Sequence, residues 1–418
     1  MEENGERNRA RSENIPVKPW ASLLNREYSL IWASTLLSSI ATQMRYVTNM
    51  YQVYELSGSS FQLGLTGFFQ ALPFIVFGLF AGVLADVFDR KRLIIITQLL
   101  QLVPAFALAV LTATGTIKVW HIYLLSLMTS TVQVFGSPAR WAIIPNLVPQ
   151  SHLMNALTLN ITTHQGSLLL SPVIAGLLID FIGLKFTYLL DAILFMPAIA
   201  AILLMRTPGK PEGERRRVSL RSIVEGFKFI WVERIILSLF LLDFGATLVG
   251  YYRPILPVFA NDVFDVGATG LGALYAAPAV GAILGSALLL LAGDIKRKGA
   301  LVVVSALFFG GSLALLGVSR WFWLGLLAVG ILGLTDAISV TIRRTVVQLL
   351  SPDAMRGRAS SLITVFAQST NALGALIAGV AAALIGAPNA LLLGSILCII
   401  IVLGISYLIP QLWRYQSK

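Results

Sequence analysis

The chain of 418 residues is 56% hydrophobic and 12% charged, with a mean hydropathy of +0.80, far from the balance of a soluble domain. One cysteine, Cys398, excludes an intramolecular disulfide framework, and His121, His152 and His164 show no metal-ligand spacing, so neither a metal nor another cofactor is expected. The net charge of +11 invites a nucleic-acid reading, which fails because the cations follow a membrane pattern.

Residues 1–27 are polar and lack the apolar centre of a cleavable signal, so they predict a disordered cytoplasmic tail. A bilayer needs about 20 apolar residues per helix, and twelve such spans follow. They are Tyr28 to Tyr54, Phe61 to Ala85, Leu93 to Gly115, Val119 to Ala139, Asn155 to Ile182 and Phe186 to Met205. After a basic linker over 206–234 come Ile235 to Phe259, Gly270 to Ala292, Ala300 to Val318, Trp321 to Ile342, Ala359 to Ile385 and Ala390 to Ile409. The domain reading is therefore a six-helix unit over 28–205, a second over 235–410 and a cytoplasmic tail over 411–418. With the amino terminus inside, the cytoplasmic loops and tails hold 26 of the 31 Lys and Arg, the asymmetry that orients membrane proteins. The linker's run from Lys210 to Arg221 reads as a hinge touching anionic headgroups.

The halves repeat one another. At an offset of 208, Arg45 falls on Arg253, Leu63-Gly64 on Leu271-Gly272, Asp86 on Asp294 and Arg90 on Lys298; at 203, Arg140 falls on Arg343, Gln165 on Gln368, Gly176 on Gly379 and Ile182-Gly183 on Ile385-Gly386. The charged corner GVLADVFDRKR, from Gly82 to Arg92, recurs as GDIKRK from Gly293.

Two parallel six-helix halves with that corner resemble the major facilitator superfamily. The first half's corner is similar to its signature between spans two and three, although Val87 stands where many members carry a basic residue and Asp89 where many carry glycine. The resemblance implies that Asp86 latches an inner gate, with Gly82, Arg90 and Asp294 in supporting positions. GSLLLSPVIAG, with Gly166, Ser171, Pro172 and Gly176, is similar to the fifth-span motif of proton-driven antiporters. The stretches GSPARWAIIPNLVPQSHLMNALTLN and SSIATQMRYVTNMYQVYELSGSS resemble the bacterial exporter branch that includes enterobactin and macrolide exporters. Siderophores, macrolides or other amphipathic solutes are the cargo this implies.

Polar groups inside a bilayer are costly unless they pair or face water, so they mark the candidate site. Arg45 and Arg253 sit roughly 26 to 28 Å along their spans at about 1.5 Å per residue; each either snorkels to headgroups or faces a cavity. Asp243 and then Asp336 are the proton-coupling candidates, with Asp191 third, and Asp336 alternatively forms a structural pair with Arg343. Gln43, Asn49, Gln70, Gln165, Gln368 and Asn371 complete a candidate lining, or else glue helices by hydrogen bonding.

No phosphate-binding GxxxxGK motif or enzyme constellation occurs, so no enzyme is expected. The expectation is an all-α, multi-pass exporter of the cell membrane, working as a monomer by alternating access with proton antiport. Its partners are a small organic solute, protons and membrane lipid, not nucleic acid. A proton-independent facilitator or lipid flippase and a non-transporting sensor or assembly partner stay open as alternatives.

Overall fold

The side chain of Asn25 accepts the N–H groups of Glu27 and Tyr28 at 3.0 and 3.4 Å. The first helix, α1, accordingly starts at Arg26 and runs to Ser57, where Gly58 turns the chain with φ +58°. This computed structural model describes residues 18–207, 228, 230–293 and 295–414 and, within them, all side chains except those of 79–86, 353–361, 363 and 414. Helices α2 Ser60–Val87, α3 Arg90–Ala113, α4 Val119–Ile143, α5 Leu153–Ile182 and α6 Leu184–Leu203 follow. Beyond the linker come α7 Arg234–Gly250, α8 Gly267–Ala292, α9 Lys298–Val318, α10 Phe322–Leu350, α11 Asp353–Ile385 and α12 Ala387–Leu408. No strand occurs among the described residues. The near ends below are those on the side where α1 begins; the far ends are opposite.

Ten helical stretches among the described residues are long and apolar enough to cross a membrane, against the twelve spans expected. The two below that measure, α1 and α4, are long enough but polar within. Helix α1 buries Ser34, Ser38, Arg45, Thr48, Asn49 and Gln52, and α4 buries Ser126, Thr129 and Ser130. Their apolar content is reduced because they pack on one another's polar groups, as in the contacts of Arg45 with Thr129, Asn49 with Ser126 and Arg140 with Ser38.

The expected seventh span, Ile235 to Phe259, is not one continuous helix. Helix α7 stops at Gly250; Tyr251 is extended at ψ 104°, and a 3₁₀ turn over Arg253–Ile255 precedes short helical turns that reach Val263. Pro254 and Pro257 explain the break, since each lacks an N–H and disfavours helix at the residue before it.

The sequence repeat is visible as packing. Helix α6 lies against α1 and α3, α5 against α1, and α4 against α2 and α3. One for one, α12 lies against α7 and α9, α11 against α7, and α10 against α8 and α9. Gly183 and Gly386, matched in the repeat, end α5 and α11 with φ of +82° and +84°, a conformation only glycine adopts without strain.

Between the two sets, α2 packs on α11 and α5 on α8. Here matched glycines meet. A methyl group on Gly64 would come within 2.7 Å of the Ala375 carbonyl oxygen and of Gly379 Cα, and one on Gly272 within 3.3 Å of Gly176 Cα. Small residues are what let membrane helices approach this closely. The apolar core follows the same geography: one buried cluster joins Tyr54 and Leu63 to Tyr252, Phe259 and Tyr275 at the far ends. Toward the near ends, Tyr28, Ile94 and Ile202 form one cluster and Leu239, Val302 and Val402 another.

Candidate functional site

Arg45 is buried, not snorkelling. Its Nε donates to Asp191 Oδ2 at 2.6 Å and its Nη2 to Asp191 Oδ1 at 3.1 Å, both side chains being 1% exposed. Its remaining nitrogen donates to Gln101 and Thr129 at 3.1 and 3.2 Å, and the guanidinium lies 5.2 Å from the Phe195 ring centre. A bidentate pair with its spare donors satisfied is the arrangement in which a buried charge is tolerated. Asp191, the third acidic candidate, is thereby paired with Arg45 inside the first half.

Arg253 does not copy Arg45. The repeat equivalent of Asp191 is Gly394, and among the described residues no carboxylate pairs with Arg253. Its guanidinium lies 5.9 Å from the ring centre of Tyr46, its main-chain carbonyl accepts the Tyr275 hydroxyl at 3.0 Å, and its buried Nε has no partner. Tyr46 and Tyr275, one from each half, meet edge to face at 5.5 Å.

Below this aromatic layer, a cavity of about 170 Å³ is lined from both halves: Arg45, Asn49 and Gln70 on one side, Tyr251, Gln368 and Asn371 on the other. Asn49 is held by the Tyr188 hydroxyl at 2.8 Å and itself donates to Ser126 at 3.1 Å. Asn371 donates to Gln368 at 3.2 Å. Gln165, expected opposite Gln368, is not among these lining residues. Gln43 lines a different cavity, of about 240 Å³, wholly within the first half.

Arg343 makes its ion pair with Asp243, across α10 and α7, whereas Asp336 is the partner the spacing suggested. Asp243, Asp336 and Arg343 all line one small cavity of about 30 Å³. Asp243 also borders a larger one, of about 240 Å³, together with Arg344 and Gln368. The two acidic candidates thus line the same cavity beside Arg343, which pairs with Asp243.

Of the gate motif, Asp89 accepts the Arg92 N–H at 3.0 Å and caps α3, and Arg90 donates to the Ala142 carbonyl at 2.8 Å. The surroundings of Gly82, the side chain of Asp86 and all of Asp294 lie outside what is described. In the fifth helix, Pro172 and Gly176 sit directly against α8, but Gly166 faces open space and the buried Ser171 hydroxyl is unpartnered. Close packing therefore uses only the second half of that motif. Reading spans from hydropathy put Arg140 and Arg343 in loops. Both lie inside helices, α4 and α10, and their alignment in the repeat was the available signal. Tyr251 has no such signal, since it enters the cavity only because the chain breaks beside it.

Residues 17–415 match the profile of the transmembrane secretion effector family. The chain belongs to that family, within the major facilitator superfamily. An enterobactin exporter of Shigella boydii is 27% identical over 356 residues, 84% of each chain. An enterobactin exporter of Escherichia coli is 26% identical over the same length, again 84% of each. Among solved structures, the inward-facing, unoccupied form of a bacterial homolog to the human lysosomal transporter Spinster covers 93% of this chain and 98% of its own at TM-score 0.72 and 15% identity. A nucleoside transporter covers 91% and 99% at TM-score 0.73 and 12% identity. At such identities the structural likeness is one of fold. Members and relatives of this secretion effector family are membrane transporters, not enzymes.

Proposed function

We propose that this chain is a secondary exporter of the cytoplasmic membrane, with residues 28–205 and 235–410 as two six-helix halves that rock about the central cavity. The observation carrying this reading is that cavity's lining, drawn from α1 and α2 on one side and from Tyr251 and α11 on the other. A solute held there touches both moving bodies at the depth where transporter sites lie. In this reading the near ends and both termini face the cytoplasm and a monomer suffices, with surrounding lipid as its solvent. The names of the relatives favour a siderophore-like or otherwise amphipathic solute, and Arg253, without an acidic ion-pair partner among the described residues, favours one carrying negative charge.

Proton coupling falls to Asp243 and Asp336. Protonating Asp243 removes the charge that holds Arg343, and Asp336, seven residues earlier on α10 and so on nearly the same face, is the anion to which Arg343 can turn. One proton taken from outside would thus exchange the partner of a single guanidinium and shift α7 relative to α10. The inner gate at Asp86 and the linker over 206–234 complete the cycle.

The test is proton movement in proteoliposomes under an imposed pH gradient while siderophores, macrolides and amphipathic dyes are added in turn. Solute-dependent proton flux that disappears in Asp243→Asn is the expected result. Solute flux indifferent to the gradient would sink the coupling and leave a facilitator or lipid flippase on the same fold.

A further inference from the structure

Besides Arg26 and Arg234 at the helix starts, the repeat carries two pairs of matched arginines within helices or their continuations, Arg45 with Arg253 and Arg140 with Arg343. Each half neutralises one of its two and leaves the other. Asp191 takes Arg45 in the first half, and Asp243 takes Arg343 in the second. Arg253 is the remaining cation of the second half, near its far end. Arg140 is that of the first half, near the opposite end, and its side chain makes one hydrogen bond, from Nη1 to Ser38 Oγ at 2.6 Å.

A guanidinium has five N–H donors in a planar fork, so most of Arg140's capacity is unspent. It lines the cavity of about 240 Å³ inside the first half, with Gln43, Gln133, Asn160, His164 and Trp141. Among the described residues no carboxylate lines this space. It is therefore a polar chamber with amide and imidazole groups, two aromatic side chains in Trp141 and Phe195, and a positive charge that no carboxylate among the lining residues neutralises. The carbonyl ends of α4 offset part of this charge, since Arg140 lies in that helix's last turn, and the rest is open to an anion entering the chamber. Drug-sized ligands occupy cavities of about 300 to 1,000 Å³, so this one suits a single ring or arm of a solute, and the guanidinium fork matches a carboxylate in two-point contact.

We infer that the Arg140 chamber is a binding subsite for an aromatic carboxylate, reached from the near side and adjoining the central cavity between the halves, with which it shares Thr42 and Gln133. As a step in export it rests on the exporter reading, but binding is measured without transport, so the two fail separately. Occupied from the near side while the far ends are closed, it would hold the anionic arm of a solute before the central cavity takes the rest.

The probe is 3-iodobenzoate, whose heavy atom quenches tryptophan at contact, added to the purified full chain in nanodiscs, with uncharged 3-iodobenzamide as comparison. Saturable quenching by the acid, lost in Trp141→Phe, is expected. Apparent affinity for the acid falls at least about tenfold in Arg140→Gln, the scale of one charge-assisted hydrogen bond. Arg140→Lys recovers most of it, and Gln43→Leu weakens it severalfold with an unchanged melting curve. Equal quenching by the amide, or an acid affinity untouched by both Arg140→Gln and Gln43→Leu, overturns the proposal.

Discussion

Arg45 shows how far a single residue could be read. The sequence marks it as an intramembrane cation matched to Arg253, but its partner lies 146 positions away, and no local pattern joins α1 to α6. Breaking a buried pair by removing one member leaves an uncompensated charge and costs about 3–5 kcal/mol. Asp191→Asn is therefore expected to lower the melting temperature in detergent markedly, and Arg45→Leu combined with Asp191→Leu to recover much of the loss. Equal melting of wild type and Asp191→Asn would show that the pair is not a stability element. At the start of the same helix, Glu27 accepts the N–H groups of Arg206 and Thr207 at 2.7 and 3.0 Å and the Thr207 hydroxyl at 3.2 Å. Burial raises its carboxyl's proton affinity, but these hydrogen bonds outweigh it and hold the pKa below the ordinary 4.5. A depressed carboxylate pKa stabilises the fold fully above its unfolded value and loses that contribution as pH falls through the folded one. The stability gap between wild type and Glu27→Gln should accordingly be present at pH 6 to 7 and close on acidification below about pH 4.

Among the elements, hydropathy located every long helix, since each expected span has a helical counterpart, while the ends and the interior of the seventh escaped it. Helix α10 continues to Leu350 and α4 to Ile143 because arginine is a good helix former and finds partners inside the protein. Hydropathy counts the charge and misses the partner. The prolines at 254 and 257 were visible, yet an apolar run through them reads as one span. The glycines at 64 and 176 were visible too, and the repeat paired them with Gly272 and Gly379. What it did not reveal is that the pairs cross, α2 meeting α11 and α5 meeting α8. Overfilling such a contact costs about 1–3 kcal/mol. Gly64→Val is expected to push α2 from α11, lowering both thermal stability and solute flux in proteoliposomes. Gly166→Ala, where a Cβ meets nothing within 4 Å, should leave both close to wild type.

For the whole molecule, the joined apolar cluster at the far ends and the separate clusters toward the near ends define which side is closed. Polar contacts bolt the far side. The Tyr54 hydroxyl donates to Asp262, and the N–H of Thr269, in the first turn of α8, donates to Asp180 Oδ2 at 2.8 Å. Tyr54→Phe removes a hydrogen bond to a charged group, a contribution of about 1.5–3 kcal/mol, so a state with the far side open should gain population about tenfold or more. The check is the labelling rate of Gln70→Cys, in a Cys398→Ser background, by a membrane-impermeant maleimide applied from the far side. The rate should rise severalfold; an unchanged rate would mean that Tyr54 does not hold this side shut. Composition and the repeat were enough to read the class of molecule and its duplicated plan. The direction in which this conformation is closed was not readable, because it depends on contacts between residues 89 and 208 positions apart.

Tyr54 and Asp262 are 208 positions apart, the same spacing that superimposes one half on the other, so each residue meets its own duplicate. In an ancestor built from two identical copies, that place on the symmetry axis would have held the same residue twice. Two phenols there carry no charge to bind, and two carboxylates repel. A phenol facing a carboxylate on the axis is available only to a chain whose halves are free to differ. The bolt on the far side is therefore younger than the duplication, a contact that neither half could form with a copy of itself.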